Sequence, residues 1–581
     1  MDPFAFSVGR LTSEEKITMT KTVEMVITGA QVLNVYTREF EATSLWIDHG
    51  RIISNLRDEP YIAAQHVDAT GQWIVPGMID AHVHMESSMV APSELGKVLL
   101  QHGVTTIATD PHELANVAGI AGIQYLIDDA RQTPLDVCFM LPSSVPCVPF
   151  DDNGATLHAA DLRPLYQQSE VRGLAEVMDY GAVARGDTDT LAKISDAYAY
   201  GYHADGHAAG LNAHQLNVMR NAGLDTDHEC MTVAEAQDRV RAGMAVFLRE
   251  GTVERDVLPT IGAVTEANAS RFAFCTDDKT ISDLLTEGSI DYNVRLAMQS
   301  GMRPELAYTL ASLNGAMAHR LSDRGSLSAG QLADLVVLDD LEHVRIARTM
   351  KRGQWILPST TKPLPFTATR VQHHAQLADF QLPLATGLAN VIGVQPNHIE
   401  TDHLTLPIDA TQNFEADCQR DILKMVVIER HHNTGKVGVG LVHGFALKQG
   451  AIAGTVAHDA HNIVAVGTSD AAILRAVAQI TQDNGGIAVV DDEQVLATMP
   501  LAIGGLLSAA SYQKVAEQLA ELKRAYEVIS ERPLSFDPFI TLSFLTLPVI
   551  PTLKLTARGL FDYATFDFIP VAIQDNQRQT V

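Results

Sequence analysis

Five segments of the chain end in residue types that bind metal ions. The first, Ala81-His82-Val83-His84, follows an apolar run that is typical of a strand. Because residues two apart in a strand point to the same side, His82 and His84 can bind one ion together. The other four segments end in Glu176, His207, His228 and Asp277. The set predicts two metal ions, an activated water and hydrolysis at a polarised carbon.

The later residues divide into separate predicted roles. Glu176 would bridge the ions, and His207 and His228 would hold the second one. Asp277 would contact the first ion and the attacking water, and a proton relay of this kind contributes about 10²- to 10⁴-fold in rate. The His-x-His pair could instead be surface or core histidines, and Glu176 a buried ion-pair partner. In the pair Asp277-Asp278 we assign the chemistry to Asp277 and a helix N-cap to Asp278.

Two further segments carry residues that could do chemistry. In Thr109-Asp110-Pro111-His112-Glu113, Asp110 or His112 could be a helix cap or turn residue, or could line a substrate pocket. The His-x-x-His of His458 to Asn462 favours hydrogen bonding within a loop over a metal site. The sequence has no nucleophile elbow, phosphate-binding loop or zinc ribbon, which excludes those classes of enzyme.

An alternation of apolar runs and helical stretches begins at about residue 74 and indicates the elements that position these residues. Eight strand-then-helix units predict an α/β fold, a (β/α)₈ TIM-type barrel whose site lies at the carboxyl ends of the strands. The predicted strands are Ile74 to His84, Val104 to Asp110, Asp136 to Leu141, Val171 to Met178, Tyr202 to His207, Leu224 to His228, Ala245 to Arg249 and Phe272 to Asp277.

The sequence on either side of the barrel has a different pattern. Short strands before it, with an Asp48-His49-Gly50 turn, and strands after it predict one small β-sandwich domain built from both sides. A Pro- and Thr-rich linker and a mixed C-terminal α+β domain follow. The predicted boundaries are an N-terminal extension 1–20, small β domain 21–73, barrel 74–322, small β domain again 323–360, linker 361–380 and C-terminal domain 381–581.

Composition limits the class of protein. The 581 residues are 46% apolar and carry a formal net charge of −28, without the basic face that nucleic-acid binding requires. The five cysteines form no CxxC motif and favour reduced thiols in the cytoplasm. The longest apolar stretch is broken by Pro548 and Pro551, so a membrane partner is not expected.

Several of these stretches resemble the adenine deaminase family of the amidohydrolase superfamily. His-x-His after the first strand and a final Asp are common to the superfamily, whereas the more specific stretches and the long C-terminal domain are typical of the family. The resemblance covers nearly all of the chain beyond about residue 20. The specific stretches are Pro76 to Met89, Thr109 to Glu113, Ala175 to Met178, Thr226 to Cys230, Phe274 to Asp278 and Gly454 to Asn462.

This resemblance implies hydrolysis of adenine to hypoxanthine and ammonia, in purine salvage, by attack of a metal-bridging hydroxide on C6. It implies two divalent ions, manganese or iron, held by the same six residues. Where many superfamily members carry a carboxylated lysine this chain has Glu176, and Ala209 stands where a proline is expected. A homodimer is expected for such an enzyme. The candidate substrate-binding residues are Glu86, Ser87, His112 and Glu113.

Other functions stay open at this point. The nearest is another metal-dependent amidohydrolase that acts on a cyclic amide or removes an acetyl group, which ammonia release from adenine would distinguish. A non-catalytic binding protein on an inactive barrel would bind no metal. A scaffold role of the C-terminal domain alone would require a fragment from about residue 380 to bind another protein.

Overall fold

The computed structural model describes residues 21–573, so the predicted extension 1–20 lies outside the described residues. Its largest feature is a ring of eight parallel strands, as the alternation of apolar runs and helices predicts. Most residues of these strands are buried, because the strands are covered by helices outside and by packed side chains inside. The strands are Met78–Val83, Val104–Thr109, Asp136–Leu141, Val171–Val177, His203–Gly206, Thr226–Asp227, Ala245–Arg249 and Phe272–Cys275.

Single bridges close the ring between its five-stranded and three-stranded parts. Ala204 pairs in parallel with Leu224 on one side, and Val83 pairs in parallel with Asp277 on the other. The second bridge places the end of the last strand beside the first. All carboxyl ends therefore meet at one face of the barrel, where the candidate site residues lie.

Helices and short 3-10 turns surround the strands. The predicted helix from Glu113 to Ala130 is two helices, because Gly119 has a positive φ of 58° that ends the first of them. The helices are Pro92–Gln101, His112–Ala118, Ile120–Ala130, Ala159–Leu162, Tyr180–Arg185, Thr188–Ala199, Ala213–Ala222, Val233–Arg241, Val257–Thr260, Ile281–Thr286, Ile290–Gln299, Pro304–Thr309 and Gly315–Ala318. The turns are Met85–Ser88, Arg163–Gln167, Ile261–Ala263 and Ala269–Arg271, with a π-helical turn at Leu310–Asn314.

Strands from both sides of the barrel pair with each other in one sheet, and we call these strands and the neighbouring four-stranded sheet the small β domain. The prediction of one strand from Ile74 to His84 is wrong. Trp73–Pro76 is a separate strand that pairs antiparallel with Leu335–Asp340 in this domain. Gly77 separates it from the first barrel strand, and its position against Thr105 leaves no room for a Cβ. The strands are Thr22–Thr28, Gln31–Asn34, Glu39–Ala42, Leu45–Asp48, Arg51–Ser54, Ile62–Asp68, Trp73–Pro76, Leu335–Asp340, Arg345–Lys351 and Gln354–Trp355.

The C-terminal part is a ten-stranded mixed sheet with helices and a separate three-stranded sheet. Its two longest helices start at serine N-caps, Ser469 and Ser511, whose side chains accept backbone N–H groups of the first turn. The strands are Gly387–Val394, Thr401–Ile408, Ala416–Asp417, Ile422–Ile428, Val437–His443, Ala451–Gly454, Ile463–Gly467, Gly486–Val490, Val495–Pro500, Leu553–Thr556, Gly559–Asp562, Asp567–Phe568 and Ala572–Ile573. The helices are Leu377–Phe380 (a 3-10 turn), Asp470–Gln482, Tyr512–Ile529 and Pro538–Phe544.

The C-terminal part packs on the barrel face that carries the carboxyl ends of the strands. Asp152, from a barrel loop, accepts hydrogen bonds from Lys436 at 2.6 Å and Arg558 at 2.8 Å. Glu94 accepts one from the backbone N–H of Tyr512 at 3.1 Å. These contacts hold the C-terminal part over the candidate site, where its residues line the same cavity as the barrel residues. Within residues 21–573, no helix is long and apolar enough to cross a membrane.

Candidate metal centre

The six side chains predicted as metal ligands converge at one place. His82 and His84 end the first barrel strand, and their Nε2 atoms lie 3.2 Å apart. The Oδ1 atom of Asp277 lies 3.1 Å from Nε2 of His84 and 3.5 Å from Nε2 of His82. All three side chains are buried, so water does not compete for their donor atoms.

Glu176 connects this group to the histidines of the later strands. Its Oε1 atom lies 3.4 Å from Nε2 of His84, and its Oε2 atom lies 3.2 Å from Nε2 of His228 and 3.9 Å from that of His207. Burial alone would raise the pKa of Glu176, but its contacts with His228 and His84 outweigh this and hold the pKa well below its ordinary value. The carboxylate is therefore ionised and placed between both groups of histidines.

The backbone holds Asp277 against the His-x-His strand. Its N–H donates to the carbonyl of His82 at 3.0 Å, and its own carbonyl accepts from the N–H of His84 at 3.2 Å. Asp277 has a φ of 57°, in the left-handed region, which Asp tolerates better than most residues. Buried Asp80 accepts the N–H of Thr276 at 3.0 Å and joins the two strand ends. The position of Asp277 thus depends on the closure of the ring.

The assignment of a helix N-cap to Asp278 is wrong. The next helix, Ile281–Thr286, is capped by Thr280, whose side chain accepts the N–H of Asp283 at 3.4 Å. Most of the metal-ligand candidates line one cavity at the carboxyl ends of the barrel strands, and Asp278 lines it too. Asp278 also accepts a hydrogen bond from the hydroxyl of Ser87. Burial raises the pKa of Asp278 to about 6.

The donor atoms fit divalent transition ions. Three overlapping groups each bring their donor atoms within 4.8 Å of one another. Imidazole and carboxylate together suit manganese, iron or zinc. The Oε2 atom of Glu176 and the Oδ1 atom of Asp110 are buried and make no hydrogen bond within residues 21–573, as expected of atoms that face an ion. The groups are His82 with His228 and Asp277; Glu176 with His207 and His228; and His84 with Asp110, His112 and Glu176.

The four candidate substrate-binding residues lie in two different settings. His112 and Glu113 line the cavity beside the metal-ligand candidates, and His112 Nδ1 lies 2.8 Å from Asp110 Oδ2. Glu86 and Ser87 are buried behind that lining, where Glu86 accepts the N–H of Leu114 at 3.2 Å. Direct contact of all four with substrate stays a prediction.

Sequence reasoning missed Arg249, which is fully buried at the end of the seventh barrel strand. One Nη atom donates to Asp277 Oδ2 at 2.9 Å and also contacts Glu229, while Nε donates to Asp256 at 3.0 Å. The guanidinium thus holds the second oxygen of Asp277 and turns the first towards the histidines. A lone arginine at the carboxyl end of a predicted barrel strand was the signal that could have identified it.

Replacing Arg249 with methionine should leave Asp277, Glu229 and Asp256 without their shared counter-charge. Removing one partner of a buried ion pair typically costs about 3–5 kcal/mol, so we expect a fall of that order in the free energy of unfolding. We also expect lower turnover, because Asp277 loses its orientation. Urea unfolding and steady-state kinetics measure the two effects. Arg241→Met, at an exposed pair with Asp238, is the control; equal behaviour of both variants would contradict this role for Arg249.

The C-terminal part also contributes to the site, which the sequence did not show. His458 Nδ1 lies 2.7 Å from Glu113 Oε1, and His461 contacts the other oxygen of Glu113. The prediction of hydrogen bonding within a loop is wrong about the partner, because both histidines contact Glu113 of the barrel. The three side chains also bring donor atoms within 4.8 Å of one another, as metal ligands would. Other C-terminal residues lining the cavity are Ile399, Asp459, Phe544, Leu547 and Ile550.

Comparison with known proteins agrees with this architecture. Residues 73–356 match the model of the amidohydrolase family, and residues 398–567 match that of the adenine deaminase C-terminal domain. The adenine deaminase of Leuconostoc citreum is 48% identical over 95% of this chain and 100% of its own length. That of Listeria innocua is 50% identical, and that of Geobacillus kaustophilus 45%, each over 94% of this chain and 96% of its own length.

Proposed function

Because this chain belongs to the adenine deaminase family of amidohydrolases, we propose that it hydrolyses adenine to hypoxanthine and ammonia at the site described above. The observation that carries the proposal is identity of 45 to 50% to adenine deaminases over almost the whole chain. The convergence of six imidazole and carboxylate side chains at one face of the barrel supports it. The small-molecule substrate is therefore a purine.

We propose that the site holds two divalent ions, manganese or iron. His82, His84 and Asp277 would hold one ion, His207 and His228 the other, and Glu176 would be shared. Two observations suit a compact pair of ions. The rings of His228 and His82 lie with their centroids 3.9 Å apart. Asp110 and His112 lie beside Glu176. Bound ions supply Lewis acidity and lower the pKa of water towards neutrality.

Asp277 is the proposed proton acceptor. Burial opposes its ionisation, but contacts with His82 and His84 hold its pKa well below the ordinary value, so it is a carboxylate at neutral pH. It accepts the proton of the attacking water as the new C6–O bond forms. It then passes the proton towards the purine ring or the departing amine, and the bond from C6 to the exocyclic nitrogen breaks to release ammonia.

The cavity residues next to this group would hold the purine. His112 and Glu113 line the cavity, and Glu86 and Ser87 support it from behind. Burial and the charge of Glu113 raise the pKa of Glu86 to about 8, so at neutral pH Glu86 is largely protonated and can donate a hydrogen bond. These four residues are proposed to orient the ring nitrogens.

The test is ammonia release from adenine by the purified chain. We expect no turnover after chelation, and rapid ammonia release with equal formation of hypoxanthine after loading with manganese or, without oxygen, ferrous iron. Metal analysis should give about two ions per chain. A fully loaded protein that releases no ammonia would overturn the substrate, and cyclic amides and acetylated amines would then be assayed.

We further propose the domain boundaries predicted above, except that the first part of the small β domain extends to Pro76, and we propose that its two sheets pack as a sandwich. The shared apolar core of those sheets, which includes Ile27, Ile47 and Val337, supports this packing. A homodimer and a cytoplasmic location are also proposed, the latter supported by five cysteines that form no disulfide within residues 21–573. The net charge of −28 disfavours nucleic acid as a partner.

A further inference from the structure

A carboxylate from the C-terminal part lines the active-site cavity, and one of its two oxygens has no hydrogen-bond partner within residues 21–573. Asp459 lines the same cavity as His84, Glu176 and Asp277, and it is only 2% exposed. Its Oδ2 atom makes no hydrogen bond within residues 21–573. A buried polar atom without a partner is unfavourable, so a ligand that donates a hydrogen bond to it would be favoured.

The loop that carries Asp459 is anchored on both sides. His458 and His461 both contact the carboxylate of Glu113, and the ring of His458 stacks on Phe544 with centroids 4.3 Å apart. The carbonyl of His458 accepts the hydroxyl of Thr546 at 2.8 Å. The backbone of Asp459 is thus held relative to both the barrel and the C-terminal part, and its carboxylate is preorganised for binding.

The position of Asp459 relative to the metal-ligand candidates indicates which part of the purine it meets. His112 lies between them, with Nδ1 3.6 Å from Glu176 Oε1 and Nε2 3.6 Å from Asp459 Oδ1. The carbon that is attacked must lie beside Glu176 and Asp277. Asp459, one imidazole ring farther away, then faces the edge of the purine opposite C6, which carries N3 and N9.

We propose that Asp459 is a substrate-binding residue that accepts the ring N–H of the five-membered ring of adenine. This inference rests on the proposed function and extends it. A carboxylate oxygen accepts hydrogen bonds, and adenine offers one N–H on its five-membered ring. A purine whose N9 carries a substituent lacks this donor. Asp459 would therefore select the free base over N9-substituted purines.

The experiment compares adenine with 9-methyladenine in the metal-loaded wild-type chain and in Asp459→Asn and Asp459→Ala. A hydrogen bond to a charged group predicts that KM for adenine rises about 10- to 100-fold in both variants, while kcat changes less. Calorimetric binding of hypoxanthine and 9-methylhypoxanthine gives a second readout that needs no turnover. The wild type should prefer the unmethylated base, and the variants should reduce that preference to within about threefold.

Asp151→Asn is the matched control, because Asp151 lies near the same loop, bonded to Cys147, but outside the cavity lining. It should keep the wild-type KM and the wild-type preference. If the wild type releases no ammonia from adenine, the proposed function fails. The role of Asp459 is overturned if the active wild type binds the unmethylated and methylated bases equally. It is also overturned if the variants lower the affinity for both bases to the same extent. The comparison of bases in the wild type requires no variant to fold.

Discussion

Changing Asp277 to asparagine should lower kcat for ammonia release by at least about 10³-fold. Asparagine keeps the size and one oxygen of the side chain but cannot take up the proton of the attacking water. The remaining oxygen can still contact His84, and the backbone bonds to His82 and His84 do not involve the side chain. We therefore expect metal content to stay close to that of the wild type, as measured by elemental analysis beside the kinetics.

A matched substitution separates this effect from a general loss of charge. Asp128→Asn removes a carboxylate that pairs with Arg131 on the barrel surface, and it should leave kcat within about twofold, as surface changes usually do. Near-normal turnover in Asp277→Asn would refute the proton relay. Loss of both turnover and metal would instead show that Asp277 is needed to bind metal, and it would not identify the residue that accepts the proton.

Changing Glu176 to glutamine should remove both activity and metal. Its two oxygens approach His84 on one side and His228 on the other, so the amide would present an N–H group to one of the two sets of ligands. Such a donor repels a cation instead of binding it. We expect metal content to fall from about two ions to one or fewer per chain, and kcat to fall by more than about 10³-fold.

The control for this change is Glu170→Gln, which lies just before the same strand and pairs with Arg131 at the surface. It should bind metal and turn over adenine like the wild type. Glu176→Gln that retains both ions would show that the carboxylate is not shared between them. Thermal unfolding of both variants should be compared without metal, so that loss of binding is not mistaken for loss of fold.

Much of the barrel was readable from the sequence because its strands are buried on both faces and appear as continuous apolar runs. The strands Asp136–Leu141 and Ala245–Arg249 have the predicted bounds. The alternation with helices then determined that strand ends meet at one face, and so six ligand candidates could be placed together. The pattern did not separate Trp73–Pro76 from the first barrel strand, because a continuous apolar run does not show whether its residues belong to one sheet or to two.

The sequence by itself determined the ligand residue types, their order and the face on which they lie, since these follow from local periodicity and strand direction. Only the tertiary structure decided that Arg249 orients Asp277 and that Asp459 lines the cavity. His458 and Glu113 are 345 residues apart in the chain, yet their side chains are hydrogen-bonded. Such contacts depend on how the barrel and the C-terminal part pack around a shared apolar core, and no local pattern of residues encodes that packing.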